Sequence, residues 1–173
     1  SILVATSIGD SYYGSPSGQF IQLVDGDDDG IAETRNVLIE DMPIGGPTAL
    51  YIVDDLVFTV GQGRPIAVFR YNPETNDNFR EVARFTLDYG GRWLHQTSAV
   101  VARPTPDMPG SYDMFFPVGS SDNFAVTTRT AALTSTIGLS ALLEGDAIHM
   151  VRLTNDGDGL TADDPVLIAT GLR

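Results

Sequence analysis

Apolar and polar residues alternate along this chain in short blocks, with no long helical stripe. The runs SILVATS, GQFIQLVD, RNVLIEDM, ALYIVDDLVFTV, PIAVFRYN, REVARFTLDY, HQTSAVVARP, YDMFFPVGSS, AIHMVRLT and PVLIATGL are rich in β-branched and aromatic residues. Gly, Pro, Asn or Asp turns separate them, which predicts strands throughout. One segment competes as a helix: Ala131 to Leu143, AALTSTIGLSALL, is small and apolar but lacks strong caps, and its Thr and Gly content argues against it. Ten strands at short, even spacing predict an all-β fold, namely a sandwich, a barrel or a propeller.

An internal repeat separates these options. An offset of 129 residues sets Asp27 on Asp156, Asp29 on Asp158 and Gly30 on Gly159. Eight residues beyond each aligned Asp29/Asp158 position, Val37-Leu38-Ile39 falls on Val166-Leu167-Ile168. A propeller blade takes roughly 40–50 residues, so the offset is about three blades. The expectation is one segment, residues 1–173, of a β-propeller with four-stranded antiparallel blades, about three to four of them in this chain. A closed ring usually has more, so further sequence or another chain is expected to complete it.

Composition narrows the partners. Acidic residues number 23 against 10 basic ones, every basic residue is Arg, and the net charge is −13. So negative a surface repels nucleic acid and anionic membranes. An acidic proteome or a salty habitat would each account for it. The absence of Cys removes disulfides, thiolate catalysis and sulfur-ligated zinc together. No apolar run approaches the roughly 20 residues of a membrane span. The opening SILVATS has no basic region leading into an apolar stretch, so any signal peptide is expected to be removed or to lie outside this segment.

Two stretches carry candidate metal chemistry. Asp25, Asp27 and Asp29 alternate ahead of Gly30, and Glu33 follows, giving carboxylates at the first, third, fifth and ninth positions of a tight loop. Hard oxygen ligands with no His or Cys beside them suit calcium, and the glycine permits the sharp turn. Asn36 stands where an EF-hand has its bidentate Glu, so the loop is instead similar to the calcium turns between strands of extracellular repeat proteins. The competing explanation is a simple β-turn, which Asp and Gly also favour. The second loop keeps Asp156 and Asp158, but has Thr154 at the first position and Ala162 at the ninth, with Asp163 as a substitute. The expectation is calcium at the first loop and mainly a turn at the second.

Other motifs are negative. GQGRPI lacks the third glycine and following helix of a dinucleotide loop, and GSPSG has Pro16 where a nucleophile elbow needs Ser. Adjacent carboxylates such as Asp54-Asp55 and Asp163-Asp164 would point to opposite faces of a strand, so they read as turn or edge charges.

Three stretches, LHQTSAVVARP, YDMFFPVGSSDN and IHMVRLTNDGDG followed by PVLIATGLR, occur in an order and spacing that resembles the soluble quinoprotein glucose and sorbosone dehydrogenases. Those are six-bladed β-propellers that bind pyrroloquinoline quinone (PQQ) and calcium and oxidise sugars. His95 and Gln96 match the family's His-Gln pair, Gly119 and Ser120 its glycine turn, and Gly171 and Arg173 its Gly-x-Arg element. The resemblance implies that His95 is the general base toward a sugar or other small-molecule hydroxyl, and that Arg173 and Gln96 contact the cofactor. An imidazole, ordinarily titrating near 6.5, suits the first role and a guanidinium fork the second. Leu94 departs from the family, where the glucose enzymes have an acid, which weighs against glucose itself. An extracytoplasmic location is expected with this reading. The rival expectation is a non-catalytic, calcium-stabilised propeller serving binding or assembly.

Overall fold

The computed structural model describes residues 1–9, 15–42, 44–61, 63–72, 79–123, 129–157 and 159–171. The strands among them are, in chain order, β1 (Ile2–Ile8), β2 (Ser17–Val24), β3 (Thr34–Met42), β4 (Pro47–Val53), β5 (Leu56–Gly61), β6 (Ile66–Tyr71), β7 (Phe79–Asp88), β8 (Val101–Pro104), β9 (Ser111–Val118), β10 (Thr130–Ser135), β11 (Ser140–Glu144), β12 (Ala147–Asp156), β13 (Gly159–Ala162) and β14 (Val166–Thr170). They form three antiparallel sheets, none of them closed. Sheet A is β1-β2-β3, sheet B runs β11-β10-β7-β6-β5-β4, and sheet C runs β13-β12-β9-β8 with β14 also paired to β12. No helix among the described residues is long and apolar enough to cross a membrane.

Sheet B lies between the other two, and its sequence shows why. LVFTVG of β5 is apolar with little alternation and every residue is buried, as expected of a strand covered on both faces. Leu56, Phe58 and Val60, with Ile66 and Val68 of β6, pack into a cluster with Met114, Phe116, Val151 and Leu153 of sheet C. The alternate residues Val57, Ala67 and Phe69 pack with Phe20 and Met42 of sheet A. Phe20, Phe69 and Phe79 meet there at ring-centroid distances of 4.8 to 5.3 Å, close enough for favourable edge-on contacts. By contrast β12 alternates: Ala147, His149, Val151 and Leu153 are buried while Ile148, Met150 and Arg152 are half-buried.

Polar ties cross the same interfaces. Gln22 donates to the Tyr71 hydroxyl at 2.8 Å between sheets A and B. Between B and C, the Tyr112 hydroxyl donates to Asp54 at 3.0 Å, and Arg70 bridges Asp55 and Asn155 at 2.9 Å each. Burial first, then the hydrogen bond to Asp54, pushes the Tyr112 phenol up to about 12. Asp54 and Asp55 sit in the tight β4–β5 turn, Asp54 at φ 49°, so they are turn charges as the sequence predicts. Within sheet C, Asp113 is buried and accepts from Thr105, Arg152 and Arg103. Burial alone would raise its carboxyl, but those three donors outweigh it and hold the group below its ordinary value.

The helix expected as a competitor over Ala131 to Leu143 is absent. That segment is the hairpin β10–β11, in which Ala131, Leu133 and Leu143 face the core while Leu142 is exposed. Burial there follows a period of two. The Ser135 hydroxyl accepts from the amides of Ile137 and Leu139, and Gly138 takes φ +89°, so the turn chemistry ends any helix.

The 129-residue repeat recurs in the pairing at one point, next to a β-bulge in each sheet. Ile21 pairs with Val37 in sheet A, and Met150 pairs with Val166 in sheet C, each partner displaced by the same offset. The first strands of the three sheets are neighbours: β1 lies beside β4 and β4 beside β8, and the Thr48 hydroxyl donates to the Ser98 carbonyl at 2.6 Å. Apolar rows remain on the faces turned away from sheet B. Val4, Ile21 and Val37 cross sheet A in register, and Val101, Phe115, Met150 and Val166 cross sheet C. Val37, Val101 and Val166 are 42%, 48% and 48% exposed.

Phe58, fully buried at the centre of this packing, tests the layered core. Phe58→Ala is expected to lower the unfolding free energy by about 3–5 kcal/mol. Ile52→Ala, at a half-exposed position, should change it by less than about 0.5 kcal/mol. Urea denaturation of both variants measures the difference.

Candidate functional site

His95 lies in the irregular segment between β7 and β8, six residues before β8 begins, and so does not open a strand as the sequence suggests. Two buried anchors hold it there. Trp93 packs on Tyr89 at 4.9 Å and donates its indole N–H to the Tyr89 carbonyl at 2.8 Å. Thr97 donates its amide to the Tyr89 hydroxyl and its own hydroxyl to the Pro117 carbonyl, both at 2.7 Å. Burial raises the Tyr89 phenol, and the Thr97 bonds partly offset that. With Trp93 and Thr97 pinned, the intervening Leu94 and His95 are exposed.

The glycine turn of the second stretch meets this segment directly. The His95 amide donates to the Ser120 carbonyl at 3.0 Å. A Cβ on Gly119 would stand 2.1 Å from the His95 carbonyl oxygen, so only glycine permits the approach. The third stretch reaches the same place through Ile148, the second residue of β12, while Thr170 of β14 pairs with the neighbouring Ala147. Ala147, His95 and Gly119 then share a cavity of about 450 Å³, within the range of small-molecule sites. Pro117, Val118 and Ile148 give it an apolar wall, and Ser120, Asp122 and Asn123 a polar one. His95 Nε2 is 2.6 Å from Asn123 Oδ1.

Of the other residues named from the sequence, Gln96 and Gly171 are not among the described residues that line this cavity. Gln96 lies over the backbone of Gly63, its Oε1 filling the space a Cβ there would need, and is not part of the cavity wall. Arg173 lies outside the described residues. The described lining contains neither Arg nor Lys. It fits a hydroxyl-bearing substrate beside an imidazole, but offers no cation to the carboxylates of PQQ. Asn123, Tyr89, Trp93 and Thr97 were not singled out from sequence, since their roles depend on contacts between segments.

The acidic loops differ in build. In the first, Val24 pairs with Thr34 and residues 25–33 form the whole connection. Asp25, Asp27, Asp29 and Glu33 each place a carboxylate oxygen within 4.8 Å of the others. Their carboxylates also accept amides of the loop itself: Gly30 to Asp25, Asp29 to Asp27, Ile31 to Asp29 and Gly26 to Glu33. Asp28 at φ 60° and Gly30 at φ 90° make the bend. The remaining Asp25 oxygen, Oδ1, is shielded from solvent and has no hydrogen-bond partner. In the second loop the ladder continues to Asp156 paired with Gly159, and Asp163 donates its amide to the Arg152 carbonyl. Asp156 is exposed, and Asp158 lies outside the described residues. Extending the ladder uses, for strand pairing, the backbone that in the first loop bends around the carboxylates.

No family model, curated protein or solved structure matches the chain. The close approach at Gly119 yields a direct test. Gly119→Ala should push the His95 segment away and destabilise the fold by about 1–3 kcal/mol, whereas Gly90→Ser, where nothing lies within 4 Å of a Cβ but φ is +60°, should cost only the local backbone strain of about 1 kcal/mol. Thermal denaturation of the two variants makes the comparison.

Proposed function

We propose that this chain forms about three to four blades of a β-propeller of the quinoprotein sugar dehydrogenase type, although its sheets of three, six and five strands depart from four-stranded blades. It would oxidise a sugar or other small-molecule hydroxyl with PQQ as cofactor and calcium bound at Asp25, Asp27, Asp29 and Glu33. The observation that carries this reading is the meeting of the three resembling stretches at one cavity, where His95, Gly119 and Ile148 lie together. Neighbouring first strands β1, β4 and β8 support blades set around a common axis. The apolar outer rows of sheets A and C are where further antiparallel blades, from continuing sequence or another chain, would pack.

In this reading the quinone, when bound, supplies the hydride acceptor. His95 takes the proton of the substrate hydroxyl, a transfer suited to an exposed neutral imidazole. Pro117, Val118 and Ile148 exclude water from one side of the substrate, and Ser120, Asp122 and Asn123 make the polar side of the cavity. Arg173 would grip a cofactor carboxylate through its guanidinium fork. Calcium would stabilise the β2–β3 turn, its charge offsetting four carboxylates and giving Asp25 Oδ1 a partner. An extracytoplasmic compartment, where calcium is plentiful, accords with this. The net charge of −13 argues against nucleic acid as a partner.

Two observations favour a second reading, a non-catalytic calcium-stabilised propeller serving binding or assembly. Leu94 is exposed beside His95 where an acid would bind sugar, and no cation lines the described cavity.

Calcium should raise the melting temperature and chelator should reverse it. At a hundredfold excess over Kd the gain is about 2.7 kcal/mol. Asp25→Asn with Asp29→Asn should abolish the effect, and Asp156→Asn should leave it intact; an unchanged melting temperature in the wild type removes calcium from the first loop. PQQ titration by absorbance and calorimetry, with calcium present, separates the two readings. The dehydrogenase reading expects PQQ binding weakened by Arg173→Ala and sugar-dependent dye reduction lost in His95→Ala. Absence of PQQ binding in the completed assembly would favour the non-catalytic propeller.

A further inference from the structure

Resting on the reading of His95 as the base, we propose that Asn123 is a positioning residue that fixes the tautomer of His95 and leaves Nδ1 as its basic atom. The argument begins with the 2.6 Å contact between His95 Nε2 and Asn123 Oδ1. An amide oxygen only accepts, so the hydrogen of this bond belongs to Nε2. A neutral imidazole carries one N–H, and its lone pair is therefore on Nδ1.

Both side chains are exposed, and the backbone segments that carry them are tied together. The His95 amide donates to the Ser120 carbonyl, which ties the histidine to the turn that carries Asn123. Ser120 is buried, and its hydroxyl bonds the Asp122 carbonyl and accepts from the Asp122 amide. The turn thus closes on itself immediately before Asn123. Histidine and asparagine, 28 residues apart in sequence, are two points on one hydrogen-bonded unit. In the proposed reaction the substrate hydroxyl approaches Nδ1 and gives its proton there, while Nε2–H stays on Asn123 and keeps the ring from turning.

The test reads the nitrogen atoms themselves. The chain has two histidines, and long-range ¹⁵N–¹H NMR of the full chain, at a pH where both rings are neutral, assigns the protonated nitrogen of each. Wild type should show His95 protonated at Nε2 alone. Asn123→Ala should convert this to a mixture of tautomers, and Asn123→Asp, which keeps an acceptor oxygen, should restore the single form. The buried His149, whose Nε2 donates to the Glu144 carbonyl at 3.0 Å, is the internal control: its signals stay fixed if the variants fold. Should Asn123→Ala disturb His149, Asn123→Leu, which fills the same space without an acceptor, carries the same expectation. A wild-type His95 protonated at Nδ1, or a tautomer indifferent to loss of the residue-123 acceptor in a folded variant, overturns the proposal. The measurement uses neither cofactor nor substrate. A single Nε2–H tautomer that depends on Asn123, with no PQQ binding by the completed assembly, upholds the positioning and rejects the dehydrogenase reading.

Discussion

Burial of sheet B on both faces is the constraint from which the rest follows. Its strand β5 can be apolar at successive positions because Val57 faces sheet A while Phe58 faces sheet C. Neither outer sheet could keep its inner face dry without it. The requirement also fixes where polar groups go: Thr59, buried in the same strand, returns its hydroxyl to the Ala49 carbonyl rather than leave it unpaired. Between sheets B and C, charged and phenolic groups meet at the β4–β5 turn, where Arg70 bonds Asp55 and Asn155 and the Tyr112 hydroxyl bonds Asp54.

The same packing delivers the candidate site. With sheets B and C face to face, the chain leaving β7 must cross to β8, and the crossing segment carries His95. Its shape is set by two residues that bury themselves, Trp93 and Thr97, so the histidine between them is presented by structure on either side. Gly119 completes the arrangement by letting the β9 turn come within backbone contact of that segment. The cavity is consequently a product of strand connections and close approach, with the apolar ends of β9 and β12 as its floor.

The acidic loops show how small sequence changes separate two chemistries. Both follow a long strand, β2 or β12, and both carry Asp interleaved with Gly. In the first, Asp25 and Glu33 bond amides of the loop from its two ends, and the nine-residue connection curls until four carboxylates converge. In the second, Thr154 and Ala162 remove those end carboxylates, and the backbone pairs instead. The default for such a stretch is the hairpin ladder. Side-chain acceptors at both ends coincide with its absence in the first loop.

From its sequence alone the chain could be read as all-β, with most strands placed and the repeat of acidic loop and following strand in register, because alternation and turn residues act over a few neighbours. The convergence of Asp25, Asp27, Asp29 and Glu33 was legible for the same reason, all four lying within nine residues. Tertiary structure alone decided that Ala131 to Leu143 is a hairpin, since short apolar runs of mixed propensity take whichever form buries Leu133 and Leu143 together. It also decided that His95 stands in a crossing loop with Asn123 as its partner, and that Gln96 turns to Gly63. Those are contacts between segments far apart in the chain, and no local pattern encodes them; they exist because two sheet faces must be buried at once.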